Sequence, residues 1–444
     1  MEWYLSRLSK FGDSVAVRED SGNTTYKQLL KEVQEIGDLL QIANVRAGDV
    51  VIIQGRSNSV MFAAILAVLN MKAVAVPLTL QAPISLDSAI QVGNAQFLFE
   101  VENRQISAVS NIQYQNYSLL EALRDDRVGG LILFSSGSTG VPKAILYDSI
   151  TILEKFKARK EPIRALLFLM LDHFGGLNTM FAITSSGGEA IILKDRNLDT
   201  VCMAVQKHGV KILPVTPSFI RLLIMSGAKK RFDLSCLEKI TFGTEPMTQS
   251  TLDQLREQFP GVELQQTYGL TEVGVLRSKS KADGSLWMKI GGEGFEWKIM
   301  NETLWIRSRF QMRGYLNADA EIDDDGFFNT QDEVVQDGDY LQILGRVTDV
   351  INVGGEKVYP IEIENFIEGL DNISDVAAYG EANALLGQVI AIDVVLLQEE
   401  ELGALRKRIR DACRASLGKQ KVPSKVRIVE NIGTTLRHKK SRNR

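Results

Sequence analysis

The segment Phe134-Ser-Ser-Gly-Ser-Thr-Gly-Val-Pro-Lys-Ala144 concentrates small hydroxyl residues and glycines behind an apolar run and ends in a cation. Gly130-Leu-Ile-Leu-Phe134 has the length and continuity of a buried strand, and no bulky side chain follows until Val141. Backbone N–H groups at Gly137, Ser138, Thr139 and Gly140 are therefore candidates to point at phosphate oxygens. The hydroxyls of Ser135, Ser136, Ser138 and Thr139 add donors, and Lys143 adds a compact positive charge. Together they describe a loop that wraps a polyphosphate. It is not a Walker A loop, which needs Gly-Lys-Ser/Thr opening a helix, because Val-Pro stands between Gly140 and Lys143.

Two further segments carry chemistry-bearing side chains. Gln266-Thr-Tyr-Gly-Leu-Thr-Glu272 ends in a hydroxyl and a carboxylate, which alone reads as a capping pair at a helix start. Gly345-Arg-Val-Thr-Asp-Val-Ile-Asn-Val-Gly-Gly-Glu-Lys-Val-Tyr359 opens on an arginine and carries a glycine pair at 354–355. Arg346 on its own reads as a surface ion-pair partner of Asp349.

The elements that must position these residues follow from the apolar pattern. Strand-length runs alternate with amphipathic segments from Asp49 to about Leu344: Val50–Ile53, Ala73–Val76, Ala165–Met170, Ala190–Leu193 and Ile240–Phe242, with helical stretches such as Gly175–Ser185, Thr200–Lys207 and Thr248–Gln258 between the later ones. A mostly parallel α/β sheet is the expected core. Between Leu286 and Leu344 short alternating strands separated by Asp/Gly turns predict an antiparallel β subdomain. Beyond Gly345, strands near 376–379 and 389–397 and a helix over 400–417 predict a compact α+β module.

Composition narrows the function. At 444 residues the chain exceeds what one core usually holds, so at least two domains are expected. Lys and Arg number 51 against 55 Asp and Glu, for a net charge of −4, which argues against nucleic acid as the main partner. The three cysteines, Cys202, Cys236 and Cys413, form no CxxC pair, and the three histidines, His173, His208 and His438, form no HExxH, so neither a disulfide framework nor a zinc site is indicated. No window reaches the roughly 18 apolar residues of a membrane span, and no signal-peptide core opens the chain, so a cytoplasmic location is expected.

The three long motifs, in this order, resemble the acyl-adenylate-forming (AMP-binding) superfamily of acyl-CoA synthetases, aryl-CoA ligases, nonribosomal peptide adenylation domains and luciferases. The resemblance implies a large N-terminal domain, 1–344, of mixed and parallel sheets with helices plus a β subdomain over about 286–344. A small mobile α+β C-terminal domain, 345–444, follows. It also implies ATP with Mg²⁺, then CoA or a phosphopantetheine thiol, and a small carboxylic acid that is first adenylated and then passed to the thiol. Ser135, Ser136, Gly137, Ser138, Thr139, Gly140 and Lys143 are implied to grip the β- and γ-phosphates, Thr271 to touch the α-phosphate and Glu272 to ligate Mg²⁺. Gly243, Thr244, Glu245 and Tyr268 fall at the adenine, and Asp332 and Arg346 at the ribose. Asn329-Thr-Gln-Asp332 carries Gln331 where the family usually has glycine.

Thr435-Leu-Arg-His-Lys-Lys-Ser-Arg442 resembles the family's lysine-bearing ending and implies Lys439 as the cation between the two reacting anions, with Lys440 the alternative register. Gly355 is implied to line the thiol tunnel, and Thr348 stands where the family's hinge has Asp or Lys. Asp172-His-Phe-Gly-Gly176 resembles the acid-binding segment, with His173 near the carboxylate and Phe174, Met180, Phe242, Thr244, Gly274 and Val275 as wall candidates. Asp172 is also weighed as a binder of an amino acid's ammonium. The readings that compete are CoA ligation, loading of an acyl or peptidyl carrier protein without CoA (Gly243-Thr-Glu-Pro246 resembles the fatty acyl-AMP ligases), and a non-catalytic nucleotide-binding descendant. A homodimer is left open.

Overall fold

The computed structural model describes residues 1–110, 112–135, 142–158, 160–282, 284–383 and 386–432. The α/β expectation is met by two seven-stranded sheets rather than one. In the first, strands Glu263–Gln266, Lys239–Phe242, Ile212–Val215, Arg164–Leu166, Glu189–Ile191 and Val15–Glu19 run parallel, and Gly22–Thr25 closes the edge antiparallel. In the second, Gly130–Ser135, Val74–Leu78, Val50–Gln54 and Phe97–Glu100 form a parallel centre. Lys143–Asp148 and then Gly314–Tyr315 extend one side of it antiparallel.

Local chemistry accounts for the layer of helices. Thr25 and Gln28 form a reciprocal capping box that starts the helix Tyr26–Ile42, and its stripe of Tyr26, Leu29, Val33, Ile36 and Leu40 is buried. The helix Ser59–Asn70 is apolar all round from Met61 to Leu69 and every one of those residues is buried, as expected of a helix enclosed on all sides.

A third, antiparallel sheet takes strands Tyr268–Leu270, Gly274–Ser280, Met288–Gly291, Tyr340–Arg346, Phe328–Asp337, Thr303–Ser308 and Phe295–Met300 in that spatial order. It starts at Tyr268, upstream of the 286 at which alternation becomes evident in the sequence. The small C-terminal domain is built on a five-stranded sheet of Ile351–Val353, Glu356–Val358, Ile373–Asn383, Gly387–Leu396 and Lys425–Ile428. Its core of Ile351, Val358, Ile363, Ile367, Val376, Ile390 and Ile392, closed by Leu405, Ile409 and Cys413 of the helix Leu402–Ser416, is separate from those of the large domain.

The small domain rests on the large one through polar contacts. Lys357 Nζ meets Glu333 Oε1 at 2.7 Å and Glu302 Oε2 at 3.1 Å, Thr248 Oγ1 donates to Glu368 Oε2 at 2.6 Å, and Gln249 N donates to Asn365 Oδ1 at 3.0 Å. Glu333 is buried, and Lys357 is the opposite charge set against its carboxylate. Thr348 sits in the short turn Val347–Asp349 between the domains, donating to Asp349 Oδ1 at 3.3 Å. Among the described residues no helix is long and apolar enough to cross a membrane.

Candidate active site

Strand ends deliver the site. Lys239–Phe242 and Glu263–Gln266 are neighbours in register, Phe242 opposite Gln266, so Gly243-Thr-Glu245 and Thr267-Tyr268 leave the carboxyl edge of the first sheet side by side. Carboxyl edges of parallel strands are where α/β folds place ligands. The approach is close enough to demand glycine. A Cβ on Gly243 would lie 2.5 Å from Thr267 Oγ1 and 2.6 Å from its carbonyl oxygen, and Thr244 then turns at φ +70°.

Asp332 and Arg346 are set by strand register, standing directly opposite each other on Phe328–Asp337 and Tyr340–Arg346. Arg346 Nε lies 3.4 Å from Asp332 Oδ1, and Tyr268 donates its hydroxyl to Asp332 Oδ2 at 2.6 Å. Asp332 is buried and Arg346 half-exposed. Burial raises the Asp332 carboxyl above its ordinary range, against the pull of Arg346 and Tyr268. Burial also drives the Tyr268 phenol well up, with the Asp332 charge adding to it, so Tyr268 remains a donor. Arg346 thus pairs with Asp332 rather than serving Asp349.

Gln331 takes the backbone freedom that glycine would give. Its φ is +59°, and its N–H is held by Asn329 Oδ1 at 2.9 Å. A non-glycine residue there costs about 1–2 kcal/mol. Gln331→Gly is expected to leave stability unchanged or raise it by under about 1 kcal/mol, because relief of strain is offset by unfolded-chain entropy. Gln331→Val is expected to lose about 2 kcal/mol, since a β-branched residue tolerates this region worst. Urea midpoints of the two variants check the pair, and equal midpoints would refute a strained turn.

The phosphate side forms where the second and third sheets meet. Thr271 and Glu272 lie in the turn joining Tyr268–Leu270 to Gly274–Ser280, so no helix starts there and the capping alternative falls away. Met312 N donates to the Glu272 carbonyl at 2.8 Å and the buried Tyr147 hydroxyl donates to that of Thr271, fixing the turn from both sides. Tyr315, on a strand paired to Lys143–Asp148, donates its hydroxyl to Glu272 Oε1 at 2.8 Å, and Lys143 Nζ sits 4.7 Å above its ring. Burial and the Glu272 charge push the Tyr315 phenol up, which keeps it a donor. Asn317 clamps the end of the loop, accepting from Ala144 N at 2.8 Å and donating to the Pro142 carbonyl at 2.9 Å.

Two clefts result, and they meet. One, of about 600 Å³, is lined by Thr244, Glu245, Tyr268, Asp332 and Arg346 together with Tyr359, Ile361 and Asn365 of the small domain. The other, of about 420 Å³, is lined by Ser135, Lys143, Glu272, Tyr315, Gln331 and Arg346. Leu270 and Arg346 belong to both. The Glu272 carboxylate, with the Tyr315 phenol beside it, offers oxygen that suits a hard cation such as Mg²⁺ whose shell substrate phosphates complete, while Lys143 offers charge to the phosphates themselves.

Several expected residues lie elsewhere or do other work. His173 lines neither cleft. It caps the helix Phe174–Ser186, its Nδ1 accepting from Gly175 N at 3.0 Å, which puts the ring proton on Nε2. The Glu245 carboxylate is turned to the start of the helix Pro217–Met225, accepting from Ser218 Oγ at 2.7 Å and Ser218 N at 3.2 Å, although the residue lines the larger cleft. Asp172 is buried and accepts from Thr79 Oγ1 at 2.6 Å. Gly354 and Gly355, at φ +61° and +91°, form the tip of the hairpin Ile351–Val358 and line neither cleft. Ser136, Gly137, Ser138, Thr139, Gly140 and Lys439, with Lys440, lie outside the described residues. Sequence reasoning missed Tyr147, Tyr315 and Asn317, which stand in no motif. The one available signal was Tyr315 following a glycine in a short apolar stretch.

Comparison with known proteins agrees with this geometry. The AMP-binding enzyme family matches residues 6–316, and the AMP-binding enzyme C-terminal domain matches 362–439. An indoleacetate–CoA ligase of Aromatoleum aromaticum is 28% identical over 70% of the chain and 66% of its own length, and a 4-coumarate–CoA ligase of Arabidopsis thaliana is 27% identical over 61% and 54%. The chain also spans 53% of an acyl-CoA synthetase of Caenorhabditis elegans and 49% of a 4-coumarate–CoA ligase-like protein of Arabidopsis thaliana. A feruloyl-CoA synthase of Amycolatopsis is 25% identical over 98% of this chain and 95% of that one. Among solved structures, the amide bond synthetase McbA of Marinactinospora thermotolerans superimposes with a TM-score of 0.81 at 20% identity over 99% and 98% of the two chains. The anthranilate CoA ligase AuaEII does so with 0.83 at 17% over 99% and 95%. At those identities the likeness is one of fold. With a family match that runs over more than half of its length, this chain belongs to the AMP-binding enzyme family.

Proposed function

We propose that the protein is an ATP-dependent carboxylic acid:thiol ligase. A carboxylate oxygen of the acid attacks the α-phosphorus of ATP, the bond to pyrophosphate breaks, and the thiol of CoA then attacks the acyl carbonyl and expels AMP. The observation that carries this reading is the junction of the two clefts at Arg346 and Leu270. A nucleoside bound by Tyr268, Asp332 and Arg346 on one side directs its phosphates to Lys143 and Glu272 on the other.

The work of these residues is positional and electrostatic. Asp332 accepts hydrogen bonds from the ribose hydroxyls, Arg346 and Lys143 offset phosphate charge, and Tyr315 holds Glu272 in one orientation. Glu272 would hold Mg²⁺, which supplies charge neutralisation at the phosphates. Lys439 is assigned to relieve repulsion between the two anions, on its place in the sequence. CoA as the acceptor rests on the CoA ligases among the relatives, and ATP and CoA consumption suits the cytoplasm.

The test is acid-dependent pyrophosphate release across aryl, fatty, short-chain and amino acids, run with CoA, with a holo carrier protein and with neither. Release with one acid class and faster turnover with CoA is the expected result. Faster turnover with the carrier moves the acceptor assignment, and silence with every acid while ATP still binds moves the protein to the non-catalytic descendants.

A further inference from the structure

Lys155 is a buried cation that the adenylation chemistry does not use. It follows the short helix Ser149–Glu154, and its Nζ donates to Asn178 Oδ1 at 2.6 Å and to the Val275 carbonyl at 3.2 Å. An ammonium has three N–H donors, so one is left without an acceptor among the described residues. Among the described residues no carboxylate forms an ion pair with it either. The charged groups that act on it most are Lys160 and Arg277, both positive, while the adjacent Glu154 is engaged with Arg309 at 3.1 Å. The residue as a whole is intermediate in exposure, but its ammonium end lies deep. Burial first, then Lys160 and Arg277, pull it down to about 7. Holding a cation at such a place with only an amide oxygen, a carbonyl and the Phe156 ring, 5.4 Å away, to answer it is costly, and fixed costs of this kind collect at ligand sites.

The position connects it to the reacting end of the acid. Asn178 stands four residues after Phe174 on one helix and so shares its face. Phe174 stacks on Tyr147 at 5.2 Å, and Tyr147 donates to the carbonyl of Thr271, beside Glu272. Val275 follows Glu272 by three residues on the adjoining strand. Val275, one wall expected of an acid pocket, and Asn178, one turn from a second wall residue, Phe174, thus both meet the Lys155 ammonium.

We propose that Lys155 is a specificity-determining residue whose ammonium receives a second carboxylate, distal to the reacting one, so that the enzyme selects dicarboxylic acids over monoanionic acids of the same shape. This rests on the acid-adenylating reading above. The exposed Lys160 and Arg277 attract the same dianion during entry. A purely structural Lys155, pinning Val275 to the helix, has no reason to distinguish one acid from another.

The experiment compares pyrophosphate release by the full chain with aliphatic α,ω-dicarboxylates of increasing length, with benzenedicarboxylate isomers, and with the half-methyl ester of each, which keeps shape and reacting carboxylate but removes the second charge. For the best diacid, kcat/KM is expected to exceed that of its half ester by about 30-fold, the low end of what a desolvated charge pair supplies. Lys155→Met and Lys155→Gln are expected to bring that ratio towards one. Gln retains donors for Asn178 and Val275, so it separates charge recognition from packing. Turnover of half esters or simple monoacids as fast as the diacids overturns the inference alone, a result that needs no variant to fold. A diacid preference that persists in folded Lys155→Gln also overturns it. Absence of pyrophosphate with every acid overturns the adenylation reading and this inference together.

Discussion

Glu272→Gln is expected to lower kcat/KM for pyrophosphate release by about 10³-fold, roughly 4 kcal/mol, while the fold is retained. The substitution keeps size and one carbonyl oxygen, so Tyr315 still finds an acceptor where it now meets Oε1 at 2.8 Å. What it removes is the negative charge that would hold Mg²⁺ opposite Lys143. The half-saturating Mg²⁺ concentration should rise with it, which a Mg²⁺ titration of the rate reads directly. Tyr315→Phe leaves the carboxylate but frees its orientation, and a loss of about tenfold is expected, in line with one hydrogen bond to a charged acceptor. A Glu272→Gln enzyme within tenfold of the parent at every Mg²⁺ concentration would remove Glu272 from the metal site.

How far the sequence carried this site depends on how each residue is held. Ser135 and Lys143 were legible because an apolar strand runs up to a loop that ends in the lysine; the return strand, on which Lys143 stands opposite Ser135, left no such signal. The Thr271-Glu272 pair was ambiguous in isolation: a hydroxyl before a carboxylate fits a helix cap as well as a turn, and only the pairing of Leu270 with Gly274 decides it. The same strand pairing explains why the antiparallel sheet begins at Tyr268, since three-residue strands carry too little alternation to be read. Lys155 was not legible at all, and Tyr315 only as an aromatic following a glycine. Tyr315 meets Glu272 across 43 residues and Lys155 meets Val275 across 120, so neither leaves a local pattern. Glu245 shows the converse, a residue whose place at the cleft was read but whose carboxylate is occupied by the turn of a neighbouring helix.

Asp332 is where binding rather than chemistry should fail. Its two oxygens accept from opposite sides, Tyr268 on Oδ2 and Arg346 on Oδ1, and the strand register leaves no freedom to trade them. Asp332→Ala strands a buried phenol and half of an ion pair, and the KM for ATP is expected to rise about 100-fold, near 3 kcal/mol, with kcat little changed. Asp332→Asn should lose less, about tenfold in the KM for ATP: its amide oxygen still accepts from Arg346 and its NH₂ donates to the Tyr268 hydroxyl oxygen, so what goes is the negative charge that answers the guanidinium. In the parent enzyme the KM for ATP should rise as pH falls through the Asp332 titration, which burial has moved above the ordinary carboxylate range, because the protonated acid no longer accepts from both partners. That acid limb should be missing from both variants. Initial rates against ATP concentration across pH decide the matter: an Asp332→Asn enzyme with the parent's KM and the parent's acid limb would take the nucleoside away from this cleft.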